Sequence, residues 1–197
     1  MKVVGIGASA GGIEAIKILL QNLSPNTGAA FVIILHLSPD FKSVIADLLL
    51  KYTEMPVTQL KKDQLLDPNH VYVIPADKNL SYEYGMLKLH ERSDKDKINL
   101  PIDKFFHSIG KSLKKDCIGV ILSGTGTDGS RGARTIKENE GAILVQDPKS
   151  AEFDGMPNAI LELDLADSVL EVKNIGQKLE DLINMDTIIG RNDYGDG

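Results

Sequence analysis

The chain has 197 residues, 42% hydrophobic and 25% charged, which predicts one sizeable core with a tail rather than two domains. A net charge of −6 with no basic block argues against nucleic-acid binding by phosphate neutralisation, and no apolar run reaches the ~20 residues that would insert across a bilayer. Cys117 stands alone, excluding an internal disulfide and zinc-finger spacings, and no signal-peptide-like segment opens the chain; together these predict a cytoplasmic protein.

The opening stretch, M-K-V-V-G-I-G-A-S-A-G-G, runs from apolar Val3–Ile6 through small residues to Ile13, Ala15, Ile16, Leu19 and Leu20 at helical spacing. It predicts a strand, a tight glycine turn and a helix. Three readings of the turn stand side by side. Ser9, inside Gly7-Ala8-Ser9-Ala10-Gly11, fits G-x-S-x-G, in which a strained turn exposes a nucleophile. Gly5-x-Gly7-x-x-Ala10 fits a dinucleotide phosphate cradle, although Leu35-His36 stand where an acidic residue would be wanted. Ser9 also fits a helix N-cap.

Ala29–Leu35 is a second buried-type strand, with His36 at its carboxyl end and Ser38-Pro39-Asp40 leading to a helix over about Ser43–Lys51. Short extended stretches follow at Val57–Leu60, Val71–Ile74, Leu80–Glu83 and Met86–Leu89, predicted to be antiparallel with a hairpin at Gly85. Glu91–Asn99 reads as a solvated charged loop, and Pro101 opens a helix through Ile102, Phe105, Phe106, Ile109 and Leu113. Cys117–Leu122 is a third buried strand, running into Ser123-Gly124-Thr125-Gly126-Thr127-Asp128-Gly129 and a helix at 131–138. A strand at Ala142–Gln146, a helix opening at Pro157, a short element at Ala166–Leu170 and a helix near Asn174–Met185 complete the pattern. The division is a catalytic domain over 1–185 and a polar tail or linker over 186–197.

Ser9, His36 and Asp128 therefore fall at the carboxyl ends of three buried-type strands, where open α/β sheets bind ligands. They supply a nucleophile, a general base and an orienting carboxylate for acyl transfer. Asp128 also fits an N-cap or a Mg²⁺ ligand, with Asp40, Asp147 and Asp154 available as companions. His70, His90 and His107 fit the base role less well by position. The amide of Ala10 and one in the Gly124–Gly126 loop are candidate oxyanion donors. A noncatalytic module holding a receptor tail or a nucleotide on the same rim is the competing reading.

Five motifs in order resemble the catalytic domain of the chemotaxis-type (CheB-type) protein-glutamate methylesterases: G-A-S-A-G-G at 7–12, H-L-S-P-D at 36–40, H-V-Y-V-I-P at 70–75, L-S-G-T-G-T-D-G at 122–129 and F-D-G-M-P at 153–157. The resemblance implies a doubly wound, mostly parallel α/β sheet with helices on both faces and a small antiparallel hairpin. It implies a Ser9, His36, Asp128 triad with Ala10, Gly11, Thr125, Gly126 and Met156 around the oxyanion and substrate, and no metal or organic cofactor. The reaction implied is hydrolysis of glutamyl methyl esters on the cytoplasmic domain of chemoreceptors or related signalling proteins, with deamidation of receptor glutamines. Ala10 replaces the family's usual threonine and Thr125 its usual methionine, changes expected to spare backbone donors and to alter pocket shape. With the first strand starting at Lys2, no amino-terminal receiver domain is expected, and A-E-F-D-G-M-P resembles the branch fused to a receptor methyltransferase, in which case the tail is expected to be the start of a linker.

Overall fold

In a computed structural model, whose described residues are 1–35, 44–92 and 98–192, the apolar runs become the strands of a seven-stranded parallel sheet. In chain order the elements are β1 (Val3–Ala8), α1 (Gly12–Gln21), β2 (Ala30–Leu35), α2 (Val44–Leu49), β3 (Val57–Gln59), β4 (Gln64–Leu65), β5 (His70–Val73), β6 (Lys78–Glu83) and β7 (Met86–Glu91). They continue with α3 (Pro101–Leu113), β8 (Cys117–Ile121), α4 (Ser130–Glu138), β9 (Ala142–Gln146), α5 (Gly155–Leu161), β10 (Ser168–Leu170) and α6 (Val172–Asn192). The sheet order is β10-β9-β8-β1-β2-β5-β3. The chain moves outward from β1 on one side and returns to β8 on the other, so the order reverses between β1 and β8. In doubly wound sheets that reversal opens a crevice beyond the strands' carboxyl ends.

The stretches at 57–60 and 71–74 depart from the antiparallel expectation. β3 pairs parallel with β5 through Val57 and Val71, and β5 pairs parallel with β2 through Ala30 and His70. The reason is burial: Val71, Tyr72 and Val73 are all enclosed, as a strand covered on both faces requires. Only β6 and β7 form the hairpin, with β4 adding a third antiparallel strand. Its turn residues, Tyr84 at φ 51° and Gly85 at φ 83°, have the paired positive φ of a type I′ turn. The last helix, expected over 174–185, runs Val172–Asn192. The helix expected from 43 is described from Val44. The loop at 36–40 and most of the charged loop lie outside the described residues.

Two cores sandwich the sheet. On one face Val4, Ile6 and Ala8 of β1 pack with Ile16, Leu19 and Leu20 of α1 and with Ile175 and Leu179 of α6. On the other, Ile102, Phe105, Phe106 and Ile109 of α3 pack with Ile136 of α4, Ile160 of α5 and Leu80 and Leu87 of the small sheet. That second face explains Gly5 and Gly7. A Cβ on Gly5 would lie 2.9 Å from Phe106, and one on Gly7 would lie 2.6 Å from Cγ2 of Ile102. The two glycines that suggested a phosphate cradle let α3 lie directly on β1, with its first turn beside the carboxyl end of that strand.

Candidate active site

Ser9 follows β1 directly and is partly buried. Its amide donates to the Ser123 carbonyl at 3.0 Å, and Leu122 donates to the Gly7 carbonyl at 3.0 Å, so the pairing of β1 with β8 continues past the strand ends. Ser9 is not the cap of α1. The cap position belongs to Gly11 at φ 70°, with no side-chain hydrogen bond, and a side chain there would also meet Ser123 and Glu152. The left-handed turn at Gly11 is what separates the serine from the helix and leaves its hydroxyl uncommitted to the helix end.

Asp128 is 7% exposed, at the end of the loop that follows β8. It does not cap the helix that comes after it: the cap position of α4 is Gly129, again without a side-chain bond. Instead Oδ2 accepts from the Ile102 amide at 3.1 Å and Oδ1 from the Asp103 amide at 2.9 Å. Leu100, at the cap position of α3, offers no side chain for those amides, so a carboxylate 26 residues away in sequence fills the role. Burial pushes the Asp128 carboxyl up from 3.8 to about 6, against the lowering effect of the Asp103 and Ile102 amides.

His36 lies outside the described residues. Leu35, the residue before it, is in register with Ala8, the residue before Ser9. The other histidines have partners elsewhere. His70 stacks on Tyr72 at 4.4 Å and its Nε2 meets the Thr58 hydroxyl at 2.8 Å, with burial lowering its pKa. His90 meets Ser81 at 2.7 Å, and His107 meets Thr135 at 3.0 Å.

Around Ser9 the remaining candidates separate into backbone and wall. Met156 is buried and its amide donates to the Gly124 carbonyl at 2.9 Å. A Cβ on Gly124 would lie 2.2 Å from the Met156 sulfur and 3.0 Å from the Ser9 Cβ, so only glycine lets the three approach. The Gly124 amide is spent on the Phe153 carbonyl at 2.9 Å, which narrows the loop's candidate oxyanion donors to Thr125 and Gly126, both exposed. Of the suggested metal companions, Asp147 caps its own short turn through Lys149, Asp154 is exposed, and Asp40 lies outside the described residues. Among the described residues no three His, Cys, Asp or Glu gather as a metal site.

Two residues had no role in the sequence reading. The Ser123 hydroxyl donates to the Ala10 carbonyl at 2.8 Å and accepts from the Phe153 amide at 3.0 Å. Gln146, 3% exposed at the end of β9, accepts from the Ser123 amide at 2.8 Å and donates to the Ser150 carbonyl at 3.1 Å. They tie the Ser9 turn, the Asp128 loop and the 147–154 loop together. A buried glutamine closing an otherwise apolar strand was the one available signal. The Cys117 thiol, pushed up to about 12 by burial, is unsuited to act as a competing nucleophile.

This is a doubly wound α/β domain whose serine and buried aspartate flank the switch point of the sheet. The chain belongs to the CheB methylesterase family, whose profile matches residues 4–179. It is 35% identical over 186 residues to the protein-glutamate methylesterase/protein-glutamine glutaminase of Hydrogenovibrio crunogenus, covering 92% of this chain and 49% of that protein. It is 29% identical over 182 residues to the protein of the same name from Escherichia coli K12, covering 90% and 52%. The chain thus spans about half the length of these curated relatives. The crystal structure of the Thermotoga maritima CheB methylesterase catalytic domain matches with a TM-score of 0.85 at 29% identity, covering 92% of this chain and 98% of that one. No described helix is long and apolar enough to cross a membrane.

Proposed function

We propose that the chain is a serine hydrolase that demethylates glutamyl methyl esters on the cytoplasmic domain of chemoreceptors or related signalling proteins and deamidates receptor glutamines. The observation that carries this reading is the placement of Ser9 and Asp128 on either side of the sheet's switch point in a member of the CheB methylesterase family. The names of the relatives support both reactions.

In the proposed reaction the Ser9 hydroxyl attacks the ester carbonyl while His36 takes its proton. Asp128 orients the imidazole and stabilises the imidazolium. The tetrahedral oxyanion sits on the Ala10 amide, beside the Gly11 turn, and on an amide of Thr125 or Gly126. Collapse breaks the bond to methoxide, which leaves as methanol with the proton from His36. Water, deprotonated by the same imidazole, then attacks the acyl-enzyme to give glutamate and regenerate Ser9. A glutaminyl amide follows the same course with ammonia leaving. Met156 forms the wall beside the acyl chain. The A-E-F-D-G-M-P stretch at 151–157 further supports a cytoplasmic polypeptide in which the esterase is fused to a receptor methyltransferase.

The test is incubation of the chain with a methyl-esterified receptor cytoplasmic fragment and, separately, with its glutaminyl form. The expected products are methanol and ammonia respectively, each with one new glutamate carboxylate per turnover. Release of neither contradicts the proposal.

A further inference from the structure

Asp103, the third residue of α3, takes no part in the reaction just described, yet it touches both Asp128 and the helix that follows it. Its amide donates to Asp128 Oδ1 at 2.9 Å, and its own Oδ1 accepts from the Gly132 amide, in the first turn of α4, at 2.9 Å. One residue thus grips both Asp128 and the helix that begins just after it. The contact is close-packed. A Cβ on Gly132 would lie 2.4 Å from the Phe106 Cβ and 2.8 Å from the Asp103 carbonyl oxygen, so the two helices are held against each other at this point. Asp103 is 8% exposed, and its Oδ2 is buried with no hydrogen-bond partner among the described residues. The bond to Gly132 is therefore the tie that sets the carboxyl's direction.

We infer that Asp103 is a positioning residue for the hydrolysis: by clamping α4 to the first turn of α3, it fixes the orientation in which the Asp128 carboxylate is presented to the catalytic base. The inference rests on the reading under Proposed function. A clamp between helices needs no charge, since an asparagine oxygen would accept the same bond from Gly132. A charge at this place acts on Asp128, whose ionisation the neighbouring Asp103 opposes. The clamp and the charge are separable by substitution. Among the described residues, the other titratable and charged groups lining the cleft beside Asp103 are Lys104 and His107 on α3 and Arg131 on α4, with Ser81 of β6 as a neutral neighbour.

The test compares the wild type, Asp103→Ala and Asp103→Asn, with Ser9→Ala and Asp128→Asn as references, in methanol release from the esterified receptor fragment between pH 5 and 8. Thermal midpoints are recorded for all five proteins. Asp103→Ala is expected to lower kcat roughly 10- to 100-fold with KM within about twofold of wild type, the cost of a misaligned catalytic group. Asp103→Asn is expected to restore most of kcat and to move the acid limb of the profile to lower pH, because the charge opposing Asp128 is gone. Wild-type kcat in Asp103→Ala, with both references inactive, would overturn the positioning role. So would equal losses in the two Asp103 variants with the acid limb unmoved, which is the signature of a merely structural contact. If Asp103→Ala does not fold, Asp103→Glu, which keeps the charge but displaces the oxygen that accepts from Gly132, takes its place: a lowered kcat supports the positioning role and a wild-type kcat overturns it. Full turnover in Ser9→Ala and Asp128→Asn would instead overturn the hydrolase reading, and the positioning role with it.

Discussion

The Ser9 amide donates to the Ser123 carbonyl at 3.0 Å while the Ser123 hydroxyl donates to the carbonyl of the residue after Ser9, Ala10, at 2.8 Å. One residue in the loop just beyond β8 thereby holds both sides of the serine turn at the end of β1. Backbone and hydroxyl do different work: the first continues the strand pairing, and the second fixes the peptide beyond the serine.

Ser123→Ala keeps the first bond and removes the second, along with the hydroxyl that accepts from the Phe153 amide. Leaving those groups short of a partner is expected to cost about 1–3 kcal/mol. Urea unfolding should show that loss, and turnover should fall while Ser9 remains present. Unchanged stability and turnover would mean that the hydroxyl does not set the turn.

Asp128 should leave a pH signature on stability. Its folded-state pKa is about 6 against an ordinary 3.8, so the folded chain holds its proton more tightly than the unfolded chain. The stabilisation this gives is full below about pH 4 and is lost as pH rises through about 6. A shift of that size corresponds to about 3 kcal/mol. The stability of the wild type relative to Asp128→Asn should therefore fall by up to that amount between pH 4 and 7. Under the proposed mechanism turnover should run the other way, falling on the acid side as Asp128 and the base it orients gain protons. A stability difference independent of pH would contradict the buried-carboxylate account.

Gly7→Ala places a methyl 2.6 Å from Ile102 Cγ2 and should cost about 1–3 kcal/mol through overpacking. Ile102→Ala opens that space at a cavity cost of its own. In combination the two should be less destabilising than their sum, measured by thermal unfolding in a double-mutant cycle. Strict additivity would mean that α3 does not lean on Gly7.

The Cys117 thiol is buried, and its hydrogen donates to the Lys114 carbonyl at 3.0 Å. With its pKa pushed up to about 12, it should resist iodoacetamide at pH 8 in the native state and react once urea unfolds the chain. Rapid native labelling, or loss of turnover on labelling, would contradict this.

What was legible in the sequence follows from the range of each signal. β1, β2, β8 and β9 could be read because strands covered on both faces are continuous apolar runs. The α3 face could be read from Ile102, Phe105, Phe106 and Ile109 at helical spacing. β3 and β5 read as antiparallel from sequence because short stretches separated by turns look alike whichever sheet they join, whereas both pair in parallel. Gly5 and Gly7 were ambiguous for a physical reason: a strand needs glycine equally for a close ligand and for a close helix, and only the position of Phe106 and Ile102 tells them apart. Ser9 and Asp128 were legible as strand-end residues, but their bland readings as caps of the helices that follow gave way to glycines at both cap positions. The bonds from Asp128 to α3 and from Gln146 to Ser123 join residues 26 and 23 apart, and no local pattern carries contacts of that range. The base assigned to His36 rests on sequence position and on the register of Leu35 with Ala8.

The central claim is that Ser9 is the nucleophile of a methyl-ester hydrolase. It is tested most directly by methanol release from a methyl-esterified receptor cytoplasmic fragment, comparing the wild type with a Ser9→Ala protein of unchanged thermal midpoint. The account predicts release by the wild type and background release by the variant. Equal release from both would contradict it.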